Sequence, residues 1–170
     1  MWLPTLLANY QTILGFLIVN PLNWGVDWMC GLPLIVLTVL LHALGLGLIS
    51  QRVIRVTSDT IARHHPIYKF VLVVGAATLL GSLLHGIEAA IWAAAYRLLG
   101  ALPDNKSAML YSLNAMTSYG HTDLALARHW QLMGAIEALN GWLLFGLTTA
   151  FLFGVLERVW SSLGRGGHHK

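Results

Sequence analysis

Residues 101–130 read ALPDNKSAMLYSLNAMTSYGHTDLALARHW and lie between two long apolar stretches. Asp104, just after Pro103, is a good helix N-cap, and Lys106 to Met116 then carries a short helical pattern. Eleven or twelve residues in a helix rise roughly 17 Å, about half a bilayer. A segment of that length cannot cross, so it is expected to dip into the hydrocarbon and return. Irregular backbone at such depth is tolerated only inside protein or along a water-filled cavity. The negative C-terminal end of a half-depth helix then points inward, which favours a cation at its tip.

The rest of the chain supports a membrane setting. Of 170 residues, 56% are hydrophobic and only 10% are charged, against about 25% charged in an average soluble domain. The net charge of +3 comes from dispersed basic residues, so no nucleic-acid stripe is present. One cysteine, Cys30, excludes an intramolecular disulfide. The first residues lack the basic start of a cleaved leader and are expected to be retained.

Three stretches match the roughly 20 apolar residues that a spanning helix needs. The expected division has an N-terminal interfacial helix and outer loop over 1–31, a first span over 32–50 and a cytoplasmic basic loop over 51–69. A pore module over 70–157 follows, then a cytoplasmic tail over 158–170. Within the module, an outer helix covers 68–100, a pore helix 105–117, a filter 117–123 and an inner helix 130–157. The stripe of Leu3, Leu6, Leu7, Tyr10 and Ile13 suits a helix in the interface, or a fourth span. Arg52, Arg55, Arg63 and Lys69 place 51–69, and with it the C-terminus, on the cytoplasmic side.

The line Ser112, Leu113, Asn114, Ala115, Met116, Thr117, Ser118, Tyr119, Gly120, His121, Thr122, Asp123 resembles the potassium channel superfamily filter, S-L-x-T-x-T-T-V-G-Y-G-D. Ser112, Leu113, Thr117, Gly120 and Asp123 match it, and Ser118 exchanges one hydroxyl for another. The stretch EALNGWLLFGLTTAFLFGVLERVW is similar to that family's inner helix, with Gly141 near the place of a hinge glycine. More narrowly, the chain is similar to small bacterial ion-channel membrane proteins with an extra N-terminal helix.

That resemblance implies an all-α membrane protein with three transmembrane helices, a re-entrant pore helix and a filter loop, assembled as a homotetramer in lipid. The implied location is a bacterial inner membrane. The implied activity is cation conduction, with monovalent cations such as K+ or Na+ in the pore and no resident cofactor. The alternative is a non-conducting channel-like protein with a structural or regulatory role. Thr117, Ser118, Tyr119, Gly120, His121, Thr122 and Asp123 are the expected filter and ion-binding residues.

A filter of this kind replaces an ion's water with rings of backbone carbonyls. Aiming successive carbonyls at one axis requires left-handed residues, which glycine adopts cheaply and a β-branched residue does not. Thr122 stands where the second glycine belongs, and His121 replaces a bracing tyrosine. The outer half of a standard filter is therefore expected not to form unchanged, which alters or reduces K+ selectivity.

Ionisable residues at bilayer depth are costly and call for a purpose. His85, Glu88, Asn114 and Glu137 are expected to support the filter loop, and His42 lies mid-span. Tyr111, Trp142 and Phe145 are expected to fill packing interfaces. The histidines also admit a pH-sensitive gate. His42, His85, Glu88 and Glu137 are zinc-ligand types whose spacing fits no zinc pattern, so no metal is expected. The chain has no GxSxG, HExxH or P-loop motif, and an enzyme is not expected.

Overall fold

The structure, a computed structural model, describes residues 3–58, 66–120 and 124–164; within the first helix, side chains are described over Trp24–Val53 and at Arg55, and elsewhere all but those of 66, 69 and 162–164. Among these residues all regular secondary structure is helical. Helix α1 spans Leu3–Ser58, α2 Pro66–Leu98, α3 Asn105–Met116 and α4 Gln131–Gly164, the last preceded by a short 3-10 turn, Arg128–Trp130. Trp24–Val53, Phe70–Leu98 and Arg128–Ser161 are each long and apolar enough to cross a membrane.

The boundaries differ from expectation on the N-terminal side. No loop separates an N-terminal helix from the first span, because α1 continues through Pro21 and Pro33. Proline removes one helical hydrogen bond, but in an apolar setting a helix remains the cheapest way to satisfy all the other backbone groups. The side-chain stripe from Leu3 to Ile13 lies outside the described side chains. The basic segment is shorter than the expected 51–69 loop, since Arg52 and Arg55 ride on the last turns of α1.

α1, α2 and α4 all contact one another, and α3 packs onto α2 and α4. One apolar cluster joins Trp92, Tyr96, Tyr111, Met133 and Ile136 at the α3 end of the bundle. A second joins Val53, Val73, Ala77, Val155 and Val159 at the other end. Between them lies a buried polar belt containing Thr38, His42, Glu88 and Asn140.

The turn into α3 follows from local chemistry. Gly100 takes φ +65°, and the Ala101 N–H bonds back to the Tyr96 carbonyl at 2.9 Å, a left-handed close that glycine makes at little cost. Arg97 then pins the connection, donating to Asn105 Oδ1 at 2.9 Å and to the Leu102 carbonyl at 2.7 Å. Asp104 caps α3, accepting the Ser107 N–H at 2.9 Å and the Ser107 hydroxyl at 2.7 Å. Those hydrogen bonds hold the Asp104 carboxyl below the usual carboxylate range.

α3 runs back alongside its neighbours instead of leaving the bundle. Its last residue, Met116, meets Gly141, about 15 Å along α4 from Gln131. A Cβ at Gly141 would overlap the Met116 carbonyl oxygen, so the glycine sets how closely α3 approaches α4. Replacing Gly141 by Ala should lower stability in detergent by about 1–3 kcal/mol through overpacking. Gly146, with open space around its Cβ position, is the control on the same helix. Thermal unfolding of both variants should show a lower midpoint for Gly141→Ala alone; equal midpoints would refute the packing role.

Candidate functional site: the end of α3 and the polar belt

Thr117 closes α3 as its C-cap at φ −87°, ψ −2°. Its N–H donates to the Leu113 carbonyl at 3.1 Å, and its hydroxyl returns to the same carbonyl at 2.8 Å. Ser118 follows at φ +53°. The Ser118 N–H bonds Ala115 O at 3.0 Å and the Tyr119 N–H bonds Asn114 O at 3.0 Å, the paired contacts of a Schellman cap. A side chain at positive φ is uncommon and costs free energy. Trp142 Nε1 offsets some of that cost by donating to Ser118 Oγ at 3.0 Å. Gly120, at φ +87°, is the second left-handed residue.

Thr117, Ser118, Tyr119 and Gly120 are all exposed, Tyr119 to 84%. His121, Thr122 and Asp123 lie outside the described residues. The exposed turn borders a groove of about 440 Å³, walled by Ser82 and His85 of α2 and by Gly141, Trp142 and Phe145 of α4. Tyr111 is buried edge-on to Tyr96, as a packing residue should be. Trp142 and Phe145 instead remain exposed at the groove.

Two separate polar clusters occupy the interior. In the first, the fully buried Glu137 accepts the Tyr96 hydroxyl at 2.6 Å and is hydrogen-bonded to Ser112 Oγ. Ser112 Oγ also lies 2.8 Å from the Ala89 carbonyl. Glu137 therefore ties α4 to both α2 and the middle of α3.

The second cluster joins α1, α2 and α4. Glu88 Oε1 lies 2.7 Å from His42 Nδ1 on α1, and Glu88 Oε2 lies 3.4 Å from His85 Nδ1. The two Nε2 atoms meet at Thr148 Oγ1 of α4, at 2.9 Å and 3.0 Å. A turn away, Asn140 Nδ2 donates to Thr38 Oγ1 at 3.0 Å, joining α4 to α1. The expected filter supports thus part company. Glu137 reaches the short helix, Asn114 contributes its backbone carbonyl to the cap, and His85 and Glu88 belong to a cross-bundle network. Gly141 is a contact point on an unbroken helix.

Reasoning from sequence did not single out Asp27, Thr38, Tyr96 or Thr148. Asp27 carried a usable signal, an acid between Trp24 and Trp28 in an apolar run; it is 2% exposed, and its Oδ1 makes no hydrogen bond among the described residues. No family model, curated protein or solved structure matches this chain.

Glu137→Ala should strand the Tyr96 hydroxyl, release Ser112 from α4 and lower stability by about 1–3 kcal/mol. Hydrogen exchange of the α3 amides should accelerate, with a smaller effect for Glu137→Gln, which keeps an acceptor. Unchanged α3 exchange in the alanine variant would remove Glu137 from the support of this helix.

Proposed function

We propose that the chain is one subunit of a potassium-channel-like tetrameric cation channel, with its ion path beside the turn that ends α3. The observation carrying this reading is the position of that turn. α3 runs back along α2 and α4, so its electronegative end lies well inside the length of the bundle rather than beyond it. The residues at that end are exposed on one side of the single chain instead of being covered by its own helices. Neighbouring copies would bring the backbone from Thr117 to Gly120 of each chain around a shared axis. Ser118 and Gly120 supply the left-handed residues that turn a backbone toward an axis. The filter letters Thr117, Gly120 and Asp123 agree with this reading, and the missing second glycine at Thr122 accounts for altered K+ selectivity.

The second reading is a channel-like protein that does not conduct and serves a structural or regulatory role. The Schellman cap favours it, because the carbonyls of Asn114 and Ala115 are already taken by the chain's own N–H groups.

Purified protein in liposomes distinguishes the two. The channel reading expects a particle of four 18.6 kDa chains and K+ or Na+ flux through it. The double change His121→Tyr and Thr122→Gly should raise K+ over Na+ selectivity. A tetramer without flux under any tested voltage or pH supports the second reading, and a monomer or dimer ends the channel reading in its favour.

A further inference from the structure

The network of His42, His85, Glu88 and Thr148 leaves one buried oxygen without a hydrogen bond. Three hydrogen bonds join Glu88 Oε1 to His42 Nδ1 and Thr148 Oγ1 to the two Nε2 atoms. Two neutral imidazoles and one hydroxyl bring the three hydrogens that these need, and an ionised carboxylate brings none. His42 Nδ1–H then donates to Glu88, the Thr148 hydroxyl to His42 Nε2, and His85 Nε2–H to Thr148 Oγ1. At the remaining contact, 3.4 Å between His85 Nδ1 and Glu88 Oε2, a ring lone pair faces a carboxylate oxygen with no hydrogen between them.

We infer that His42, His85 and Glu88 form a binding site for a divalent transition-metal ion such as Zn2+. This inference is independent of the channel reading. The candidate ligand atoms of the three residues lie within 4.8 Å of one another. Two imidazole nitrogens and one carboxylate oxygen suit zinc, which takes such ligands at roughly 2.0–2.2 Å, and disfavour the all-oxygen preference of Mg2+ or Ca2+. The far nitrogen of each ring is already held by Thr148 Oγ1, the outer support that orients metal-ligating histidines. Glu88 Oε2 is buried and makes no hydrogen bond among the described residues. His42 and Glu88 are fully buried, while the His85 side chain is 30% exposed. His85 also lines the groove at the end of α3, which supplies an entry path and an open position for a fourth ligand. The three ligands come from two helices, with His42 and Glu88 46 positions apart, which explains why no zinc spacing is visible in the sequence.

The test uses the full chain in detergent after chelation, with the adjacent pairs His64, His65 and His168, His169 and the exposed His129 replaced by Asn so that they do not compete. Titration with Zn2+ alone should saturate at one ion per chain, and Co2+ alone should give the visible absorption of a four-coordinate site. Thr148→Val, which removes only the outer support, should weaken binding about 10- to 100-fold. His85→Ala and the near-isosteric Glu88→Gln should each abolish the Co2+ spectrum while far-UV dichroism stays unchanged. Absence of binding in that background would overturn the proposal. So would binding that survives both His85→Ala and Glu88→Gln.

Discussion

Inside a bilayer a polar side chain has only other protein atoms to bond with, and that limit organises this bundle. Apolar packing distinguishes poorly between a neighbouring helix and a lipid tail, since both are hydrocarbon. The contacts that fix which helix meets which, and at what register, are therefore the buried polar ones. His42 to Glu88 sets α1 against α2, Asn140 to Thr38 sets α4 against α1, and Glu137 with Ser112 sets α3 against α4. The apolar clusters at the two ends fill the space that these contacts define.

The short helix depends on a different device at each end. Asp104 satisfies backbone donors where α3 begins, and the paired N–H groups of Ser118 and Tyr119 satisfy carbonyls where it ends. Glycine governs its distance from α4 and a carboxyl governs its orientation. The exposed turn is thus held from behind by α2 and α4 while its front is left to whatever surrounds the chain. Trp142, bonded to Ser118 Oγ, links that turn to the exposed face of α4, so the two cannot rotate independently without losing this hydrogen bond.

Local signals were legible, and contacts between distant segments were not. The cap at Asp104, the length of α3 and the two long helices flanking it follow from residues within a few positions of each other, and the structure places them within two or three residues of expectation at most of these ends. The far end of α4 is the exception: it reaches Gly164, beyond the expected close at 157. The unbroken α1 was not legible because Pro21 and Pro33 read locally as breaks, whereas an apolar environment penalises the break more than the missing N–H. The division of Glu88 from Glu137 was also hidden. Both are carboxyls at similar depth, and only the rotation of each helix about its axis decides that one finds Ser112 and the other His42. Thr148 carried no signal at all, since a lone threonine in an apolar helix ordinarily bonds its own backbone.

Chain order gives the His42 to Glu88 contact a consequence for biogenesis. A carboxyl delivered into lipid on a solitary helix is unfavourable by a few kcal/mol, and α2 brings one. Its partner on α1 is made 46 residues earlier, whereas Thr148 emerges 106 residues after His42. A hairpin of the first two helices can therefore neutralise its own insertion penalty while the ribosome is still translating the remainder. The last long helix then docks onto a preassembled pair.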